Sequence, residues 1–417
     1  MLIARNNYVE ALAARRHNGL VKVITGIRRC GKSFLLFELF KKHLLDTGTD
    51  PADIIELAFD SRVNRPLRDP DALCAHLDSR IEGKRQCVLL LDEIQLVSDF
   101  ESVLNQYMRV PGVDLYVTGS NSKFLSTDII TEFRGRGDEV RVRPLSFAEF
   151  LPAHRGGVRE AWRDYYTFGG LPQVLSLGDD RHKVAYLGSQ FLQVYFADVL
   201  ERREIAHADE LDELVNVLAS AVGSLTNPKR IADIFKSVKR VGIAPETVKS
   251  YIGHLQDAFL IERALRFDIK GNRYINTPVK HYFTDLGLRN ARLNFRQQEE
   301  NHIMENIIFN ELRSRGFAVD VGVVEDRSRD AEGRAVRKQL EVDFVANRGS
   351  GRYYVQSAYA MADDKKRAQE RAALLRIDDS FKKLIVTGDD ARPKRDDKGF
   401  VIMGITDFLL DQNSLDF

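Results

Sequence analysis

Cysteine and long apolar runs are both scarce in this chain of 417 residues. Its three cysteines, Cys30, Cys74 and Cys87, are too few for a disulfide framework, and no spacing with histidine indicates a zinc site. Such a composition suits a reducing compartment. No apolar run reaches the roughly 18 residues that span a bilayer, and the N-terminal segment lacks the apolar core of a signal peptide. We therefore expect a cytoplasmic protein with no membrane partner.

An excess of charge of one sign is also missing. Lys and Arg total 62, Asp and Glu total 61, and the formal net charge is +1. This balance excludes a uniformly basic nucleic-acid-binding coat, although it leaves room for local basic faces. Hydrophobic residues make up 44% and charged residues 29%, as in globular proteins. At about 150 residues per domain, the length predicts two to four domains.

Short apolar runs alternate with helical patterns over residues 21–143. The runs are VKVIT, DIIELAF, CVLLLD, DLYVTG and EVRVR. This rhythm is typical of a parallel sheet with crossover helices, so it predicts a five-stranded α/β domain. Beyond Pro144 the periodicity becomes helical to about residue 225, with one interruption at residues 169–172.

The segment GIRRCGKS lies directly after the first apolar run and directly before the helical run FLLFELFKKHLL. It has the glycine, lysine and serine spacing of a P-loop, in the strand, loop and helix context that this motif requires. Backbone N–H groups would wrap the phosphates, Lys32 would reach the β- and γ-phosphates, and Ser33 would offer a hydroxyl to Mg²⁺. ATP and Mg²⁺ are the cofactors expected. The predicted nucleotide-binding residues here are Gly26, Arg29, Gly31, Lys32, Ser33 and Phe34.

The run CVLLLDEIQ supplies an acidic pair at the end of a buried strand, as a Walker B motif does. Asp92 is predicted to hold Mg²⁺ together with Ser33, and Glu93 to orient and polarise the attacking water. The alternative is an ordinary buried strand that ends in solvated acids. Beside a P-loop, that alternative has little weight.

The fourth run leads into Thr118, Gly119, Ser120 and Asn121. Many ATPases of this class place a polar side chain here, in contact with the γ-phosphate or the attacking water. Ser120 is the predicted sensor and Asn121 the reserve. The alternative is a simple turn, because glycine, serine and asparagine all favour turns.

Two arginines, Arg134 and Arg136, lie in the segment FRGRGDEVRVR just before the fifth run. In a homo-oligomer, an arginine here could reach a neighbour's γ-phosphate and offset charge in the transition state. Solvated arginines in a glycine-bearing loop are the equally weighted alternative. The sequence does not distinguish between the two arginines.

Several segments together resemble a large prokaryotic ATPase family: GIRRCGKS, LLLDEIQ, VTGSNS, FRGRGDEVRVRPLSFAEF, YYTFGGLPQVL, SLTNPKRIADIF and KHYFTDLGLRNA. Its members join an AAA+-type module to a C-terminal domain of uncharacterised function, near the archaeal ATPase and STAND-like groups. The resemblance covers essentially the whole chain. In related ATPases a glycine-x-proline element approaches the adenine, which implies that role for Pro172. A simple helix break at this position is the equally weighted alternative.

These patterns predict four parts: an ATPase core at 1–145, a helical lid at 146–225, a winged helix at 226–284 and a C-terminal α/β domain at 285–417. The winged helix has a second helix from about Pro245 to Ala258. It either contacts DNA or packs on the nucleotide domain, and its acidic residues dilute the basic face. The cations suited to phosphate contacts are Lys249, Arg266, Lys270 and Arg273.

The C-terminal part resembles the core of restriction-endonuclease-like proteins. Glu305 on a helix, Asp343 and Gln356 on strands correspond to the acidic site of that core. Ala358 stands where active members carry a lysine, so nuclease activity is doubtful. Glu305, Glu341 and Asp343 could still hold a metal ion, and Lys365 or Lys366 could substitute for the lysine.

Two hypotheses of different class follow. The first is an ATP-hydrolysing enzyme whose nucleotide state drives a conformational switch on DNA. The second is a STAND-like switch with slow turnover that grips a protein partner. The two hypotheses share the predicted P-loop and differ in whether DNA stimulates turnover.

Overall fold

The computed structural model describes residues 3–119, 136–196, 199–200, 208–239, 242–297, 299–329, 335–360 and 364–417. The chain divides into two compact units. Unit 1 comprises Met1–Pro144, Leu171–Ser176 and Asp257–Phe259. Unit 2 comprises Leu145–Gly170, Leu177–Gln256 and Leu260–Phe417.

Unit 1 is built on a five-stranded parallel sheet, which confirms the α/β fold predicted from the alternating runs. The spatial order is β2-β3-β4-β1-β5. Every residue of β1 and β3 is buried, as expected for strands that are covered on both faces. The strands are β1 Val21–Thr25, β2 Ile54–Ala58, β3 Cys87–Asp92, β4 Val113–Thr118 and β5 Gly137–Arg141.

In the sequence, the longer helices of unit 1 come before β1 or between consecutive strands of this sheet. One continuous helix over residues 32–46 consists of Lys32–Phe34, the wider turns Leu35–Phe40, and Lys41–Asp46. Its position directly after the P-loop places the loop at a helix N-terminus, where backbone N–H groups are available to anions. The other helices are Asn6–Ala13, Pro70–Ile81 and Phe100–Tyr107.

Unit 2 contains a nine-stranded sheet in the order β13-β14-β12-β11-β10-β9-β7-β8-β6. Antiparallel pairing joins β6 to β8, β8 to β7, β9 to β10 and β10 to β11, whereas β7 and β9 run parallel. The strands are β6 Leu225–Thr226, β7 Ile261–Asp268, β8 Arg273–Phe283, β9 Ala318–Arg329, β10 Ala335–Arg348, β11 Gly351–Ala358, β12 Lys382–Thr387, β13 Lys394–Arg395 and β14 Val401–Gly404.

The helices of unit 2 include most of the helical region that follows β5 in the sequence. The longest, Glu300–Ser314, buries nine of its side chains, because it carries apolar residues on more than one face. The others are Phe147–Phe150, Val158–Phe168, Asp180–Gln190, Ala208–Ser220, Pro228–Ile234, Pro245–Asp257, Leu286–Arg292, Asp364–Leu375 and Ile405–Leu410, with wider turns at Phe191–Phe196 and Phe235–Lys239. In the part of the chain that is described, no helix combines the length and apolarity required to cross a membrane.

The segment predicted as a winged helix has two helices, Pro228–Ile234 and Pro245–Asp257, followed by the β7–β8 hairpin. This hairpin and the C-terminal strands share one sheet through the pairing of β7 with β9. Arg266 was predicted to contact phosphate together with three other cations, and the structure corrects this prediction. It is buried, and it donates a hydrogen bond to Gln339 at 2.9 Å, so it is not available at the hairpin tip.

Candidate nucleotide-binding site

The loop between β1 and the helix at 32–46 needs its two motif glycines for steric reasons. Gly26 has φ +140°, and a Cβ there would lie 2.0 Å from the carbonyl oxygen of Val142. Gly31 has φ +96°, in the left-handed region that glycine enters without steric cost. The loop therefore passes close to the segment that follows β5, and larger residues could not take its path.

Lys32 is buried with its ammonium turned back onto the loop. Its Nζ donates to the carbonyl oxygens of Gly26 and Ile27, at 3.0 and 3.2 Å. Neither acceptor carries a formal charge, and Lys32 forms no ion pair with any residue that the structure describes. A buried ammonium without an anion is costly. The lysine is therefore suited to exchange these carbonyls for the oxygens of a phosphate.

Polar side chains of the P-loop helix and of the ends of β3 and β4 lie close together. The Ser33 hydroxyl is near enough to Asp92 to lower the pKa of its carboxyl. Asp92 also accepts a hydrogen bond from the Thr118 hydroxyl, and Thr118 Oγ1 in turn accepts from the backbone N–H of Glu93 at 3.0 Å. Residues from three parts of the sequence thus meet at the carboxyl end of the parallel sheet, where ligands bind in open α/β sheets.

The electrostatics at Asp92 favour a cation. Burial raises the pKa of Asp92 above its ordinary value, while the hydrogen bonds from Thr118 and Ser33 oppose that rise. A buried carboxylate of this kind is stabilised in its charged form by a nearby positive ion. The hydroxyl of Ser33 and the carboxylate of Asp92 are hard oxygen donors of the type that Mg²⁺ prefers. The donor set therefore fits the metal expected from the sequence.

Glu93 occupies a strained backbone position directly after Asp92. Its φ of +54° lies in the left-handed region, which is uncommon for a residue with a side chain. The side chain is half-buried, and its carboxylate accepts a hydrogen bond from Gln95. Such strain is a frequent property of functional positions, because surrounding structure must hold the residue there.

The other residues predicted for the nucleotide site lie beside the P-loop, directly before β5, or outside the described residues. Pro172 belongs to unit 1, and its Cγ lies 3.9 Å from where a Cβ on Gly31 would be, so it is beside the P-loop. Arg29, at φ +62°, and Phe34 are exposed beside the loop, and Arg136 is exposed directly before β5. Ser120, its reserve Asn121, and Arg134 lie outside the described residues.

Thr118 was assigned no role in the sequence, although the structure places its hydroxyl between Asp92 and Glu93. The Thr118 hydroxyl links Asp92 and Glu93 to the end of β4. It thereby fixes the position of the Asp92 carboxylate, which would hold the metal. Thr118 is the last residue of β4, which lies beside the end of β3 in the parallel sheet. This position would indicate its role only if the order of the strands were known.

A second cluster of charged groups lies in unit 2, around Lys280 on β8. Lys280 is buried, and its Nζ lies 2.7 Å from Glu305 Oε1, 2.7 Å from Glu341 Oε1 and 3.9 Å from Asp343 Oδ1. Tyr282 also donates to Glu305, at 2.6 Å. The carboxylates that the sequence suggested as metal ligands therefore surround an ammonium. Among the residues that the structure describes, no three His, Cys, Asp or Glu side chains form a metal-binding group.

The pKa values in this cluster reflect the shared ammonium. Burial lowers the pKa of Lys280, but Glu305, Asp343 and Glu341 together raise it above its ordinary value. Burial also raises the pKa of Glu305, while Lys280, His302 and Tyr282 outweigh that effect and lower it. Burial and the nearby Glu305 carboxylate raise the pKa of Asp343 well above its usual range. Lys280 is therefore held charged by its neighbours.

Two motifs of the sequence, YYTFGG and TDLGLRN, meet within unit 2. The buried carboxylate of Asp285 accepts a hydrogen bond from Gly170 N at 2.8 Å, and Asn290 donates to two carbonyl oxygens of the helix Val158–Phe168. A Cβ on Gly169 would lie 2.4 Å from Asp285 Oδ1. Gly169 is thus required by the close approach of the carboxylate, and Gly170 by the carbonyl oxygen of Leu145, which would lie 2.4 Å from a Cβ there. The segment Gly170-Leu171-Pro172 starts at this anchored point.

Comparisons with known proteins extend over the whole chain. Residues 18–151 match the family model of an AAA domain, and residues 159–299 match that of a domain of unknown function. An uncharacterised protein of Haemophilus influenzae is 30% identical over 98% of this chain and 99% of its own length. An uncharacterised protein of Methanocaldococcus jannaschii is 29% identical over 92% of this chain and 86% of its own length.

Solved structures that match part of the chain include a Walker-type ATPase of Pyrococcus abyssi. It has a TM-score of 0.48 at 16% identity, and the match covers 70% of this chain and 96% of that one. The ORC2 protein of Aeropyrum pernix has a TM-score of 0.36 at 16% identity, over 74% of this chain and 95% of that one.

Proposed function

Since the chain belongs to the same family as the uncharacterised Haemophilus influenzae protein, and its residues 18–151 match the model of an AAA domain, we propose that it binds ATP with Mg²⁺ and hydrolyses it. Backbone amides of the loop between Gly26 and Lys32 bind the phosphates, and the Lys32 ammonium binds the β- and γ-phosphates. Ser33 and Asp92 hold Mg²⁺, which supplies positive charge at the phosphate oxygens. Glu93 accepts a hydrogen bond from the attacking water and orients it. Pro172 lines the nucleotide side of the loop.

One observation carries this proposal above the others. Thr118 hydrogen-bonds Asp92 and the backbone of Glu93, and Ser33 is near enough to lower the pKa of Asp92. Beside them, Lys32 is a buried lysine that lacks a charged partner among the described residues. A purely structural lysine at such a position would be paired with a carboxylate. The uncompensated charge instead supports an anionic ligand that arrives from solution.

We also propose that nucleotide state controls a switch that acts on DNA through the winged-helix segment. Lys249 and Arg273 are exposed, and Lys270 lies at the tip of the β7–β8 hairpin. Arg273 Nε lies 3.4 Å from Asp268 Oδ2, so part of its charge is already offset. The expected phosphate contacts are therefore few, and DNA binding should be weak and salt-dependent. Contribution of Arg134 or Arg136 to a neighbour's site in a homo-oligomer remains a prediction, as does cytoplasmic location.

The C-terminal part is proposed to lack nuclease activity. The helix Glu300–Ser314, the strands β9 to β11, the helix Asp364–Leu375 and β12 follow each other in the order expected of the nuclease-like core. Cleavage in that fold needs carboxylates that are free to hold a metal ion. Here Lys280 already neutralises Glu305, and Lys366 pairs with Glu370 at 2.8 Å.

The test is ATP turnover of the full chain, measured with and without duplex or single-stranded DNA at low salt. Turnover that requires Mg²⁺ and rises severalfold with DNA is the expected result. Turnover that DNA leaves unchanged would favour the second candidate, a slow STAND-like switch that binds a protein partner. A chain that neither binds nor hydrolyses ATP would overturn the proposal.

A further inference from the structure

A buried arginine from the N-terminal segment contacts the P-loop from outside the motif. Arg5 precedes the helix Asn6–Ala13, and only 3% of it is exposed. Its Nη1 donates to the carbonyl oxygen of Cys30 at 3.0 Å, and its Nη2 to that of Arg143 at 2.9 Å. Its guanidinium carbon also lies 4.5 Å from the centre of the Tyr8 ring. One side chain thus joins three parts of unit 1 that are distant in sequence.

The contact with Cys30 controls a phosphate-binding amide. The Cys30 carbonyl and the N–H of Gly31 belong to the same peptide group. In a planar trans peptide, these two groups point in opposite directions. Holding the Cys30 oxygen on the side of Arg5 therefore directs the Gly31 N–H to the opposite side, away from Arg5. Gly31 itself does not restrict this peptide, because glycine has wide conformational freedom.

The other contact ties the same arginine to a fixed part of the unit. Both peptide groups that flank the Cα of Arg143 are held, since its N–H donates to Tyr8 Oη at 3.1 Å and its carbonyl accepts from Arg5. The neighbouring Val142 donates its N–H to Thr25 O at 2.8 Å, which continues the pairing of β5 with β1. Arg5 therefore connects the P-loop, through Cys30, to the segment after β5 that is hydrogen-bonded to β1.

We propose that Arg5 is a positioning residue of the ATPase site, which holds the Cys30–Gly31 peptide with its N–H directed at the phosphates of ATP. The inference rests on the proposed ATPase function. The role suits arginine because a planar fork can donate to two carbonyl groups at once. A lysine at this position could reach one of them, without the fixed geometry. Lys32 leaves its carbonyl partners when phosphate binds, whereas Arg5 keeps its own.

The experiment compares kcat and KM for ATP in the full-length parent, Arg5→Ala and Arg5→Lys, with Arg15→Ala as the matched control. Arg15 lies in the same N-terminal segment, but it donates to Asp138 and to the carbonyl of Ala11. We expect kcat/KM to fall about tenfold to a hundredfold in Arg5→Ala, because a misdirected amide weakens phosphate alignment. Arg5→Lys should lie between Arg5→Ala and the parent, and Arg15→Ala should match the parent.

Added guanidinium separates a positioning role from a general loss of folding. Millimolar guanidinium chloride should restore part of the turnover of Arg5→Ala, while potassium chloride at the same concentration should not. Parent-like kcat/KM in Arg5→Ala would overturn the inference. So would a loss in both Arg5 variants that guanidinium leaves unchanged while the melting temperature falls. A parent that binds no ATP would instead overturn the proposed function itself.

Discussion

Two buried lysines in this molecule have opposite surroundings. Lys32 in unit 1 donates to two uncharged carbonyl oxygens, whereas Lys280 in unit 2 lies among the carboxylates of Glu305, Glu341 and Asp343. Both are at most 5% exposed, so burial alone does not distinguish them. The difference lies in whether the protein itself supplies the counter-charge.

This difference separates a ligand site from an internal ion pair. A buried cation with neutral partners gains most when an anion enters from solution, as phosphate does in a P-loop. A buried cation with carboxylate partners is already neutralised, and removing one member of the cluster leaves the others uncompensated. We therefore assign ligand binding to Lys32 and a structural role to Lys280. The predictions below test that assignment.

The largest effect is expected for Lys32→Ala. Loss of the ammonium removes the contact with the β- and γ-phosphates, so turnover should fall by about three orders of magnitude. Stability should change little, because the two carbonyls that Lys32 contacts can bond to water. Steady-state ATPase assays measure the effect, with Lys41→Ala on the same helix as the control, since Lys41 pairs with Glu56 at the surface. Turnover near that of the parent would contradict the assignment.

The corresponding change in unit 2, Lys280→Met, should act on stability instead. It leaves buried carboxylates without their cation, which should lower the free energy of unfolding by about 3–5 kcal/mol. The exposed Lys398→Met serves as the control and should cost less than about 1 kcal/mol. Denaturant unfolding measures both. Mn²⁺ should stabilise Lys280→Met and leave the parent unchanged, and equal unfolding free energies would refute the structural role of Lys280.

Glu93→Gln should separate nucleotide binding from hydrolysis within unit 1. The amide keeps the shape of the side chain but cannot polarise the attacking water, so kcat should fall about a hundredfold to a thousandfold while ATP affinity stays near the parent value. Glu38→Gln, on an exposed face of the P-loop helix, is the control. If Glu93→Gln hydrolysed ATP at the parent rate, the Walker B assignment would be wrong.

The smallest effect is expected for the affinity of the winged-helix segment for DNA. Replacing Lys249, Lys270 and Arg273 by Gln should weaken binding about equally for all sequences and flatten the dependence on log salt by about 0.9 per lost phosphate contact. The control replaces three other exposed cations of unit 2, Lys394, Arg395 and Lys398. Filter binding or fluorescence anisotropy over a salt series measures the slopes. An unchanged slope would indicate that the segment only packs.

Features encoded by neighbouring residues could be predicted from the sequence. The five strands of unit 1 were predicted because short apolar runs alternate there with helical patterns, as in a parallel sheet with crossover helices. Ser33 was assigned from its place in the P-loop motif and Asp92 from its place at the end of a buried strand, and Ser33 is near enough to Asp92 to lower the pKa of its carboxyl.

Features that depend on contacts between distant residues could not be predicted. Arg5 is 25 residues from the Cys30 oxygen that it binds, and no local pattern marks it as part of the loop. Lys280 stood in a noted motif, KHYF, yet its partners lie on a later helix and strand. Arg266 was expected at the wing but faces Gln339 on β10, because β7 is inside the sheet rather than at its edge.

Calorimetric titration of ATP, with Mg²⁺, into the parent, Lys32→Ala and Lys280→Met measures directly which of the two buried lysines binds the nucleotide. We expect one ATP per chain for the parent, affinity lowered by at least about a hundredfold in Lys32→Ala, and parent-like affinity in Lys280→Met wherever that variant is folded. Equal affinities in the parent and Lys32→Ala, or loss of ATP binding confined to Lys280→Met, would contradict this expectation.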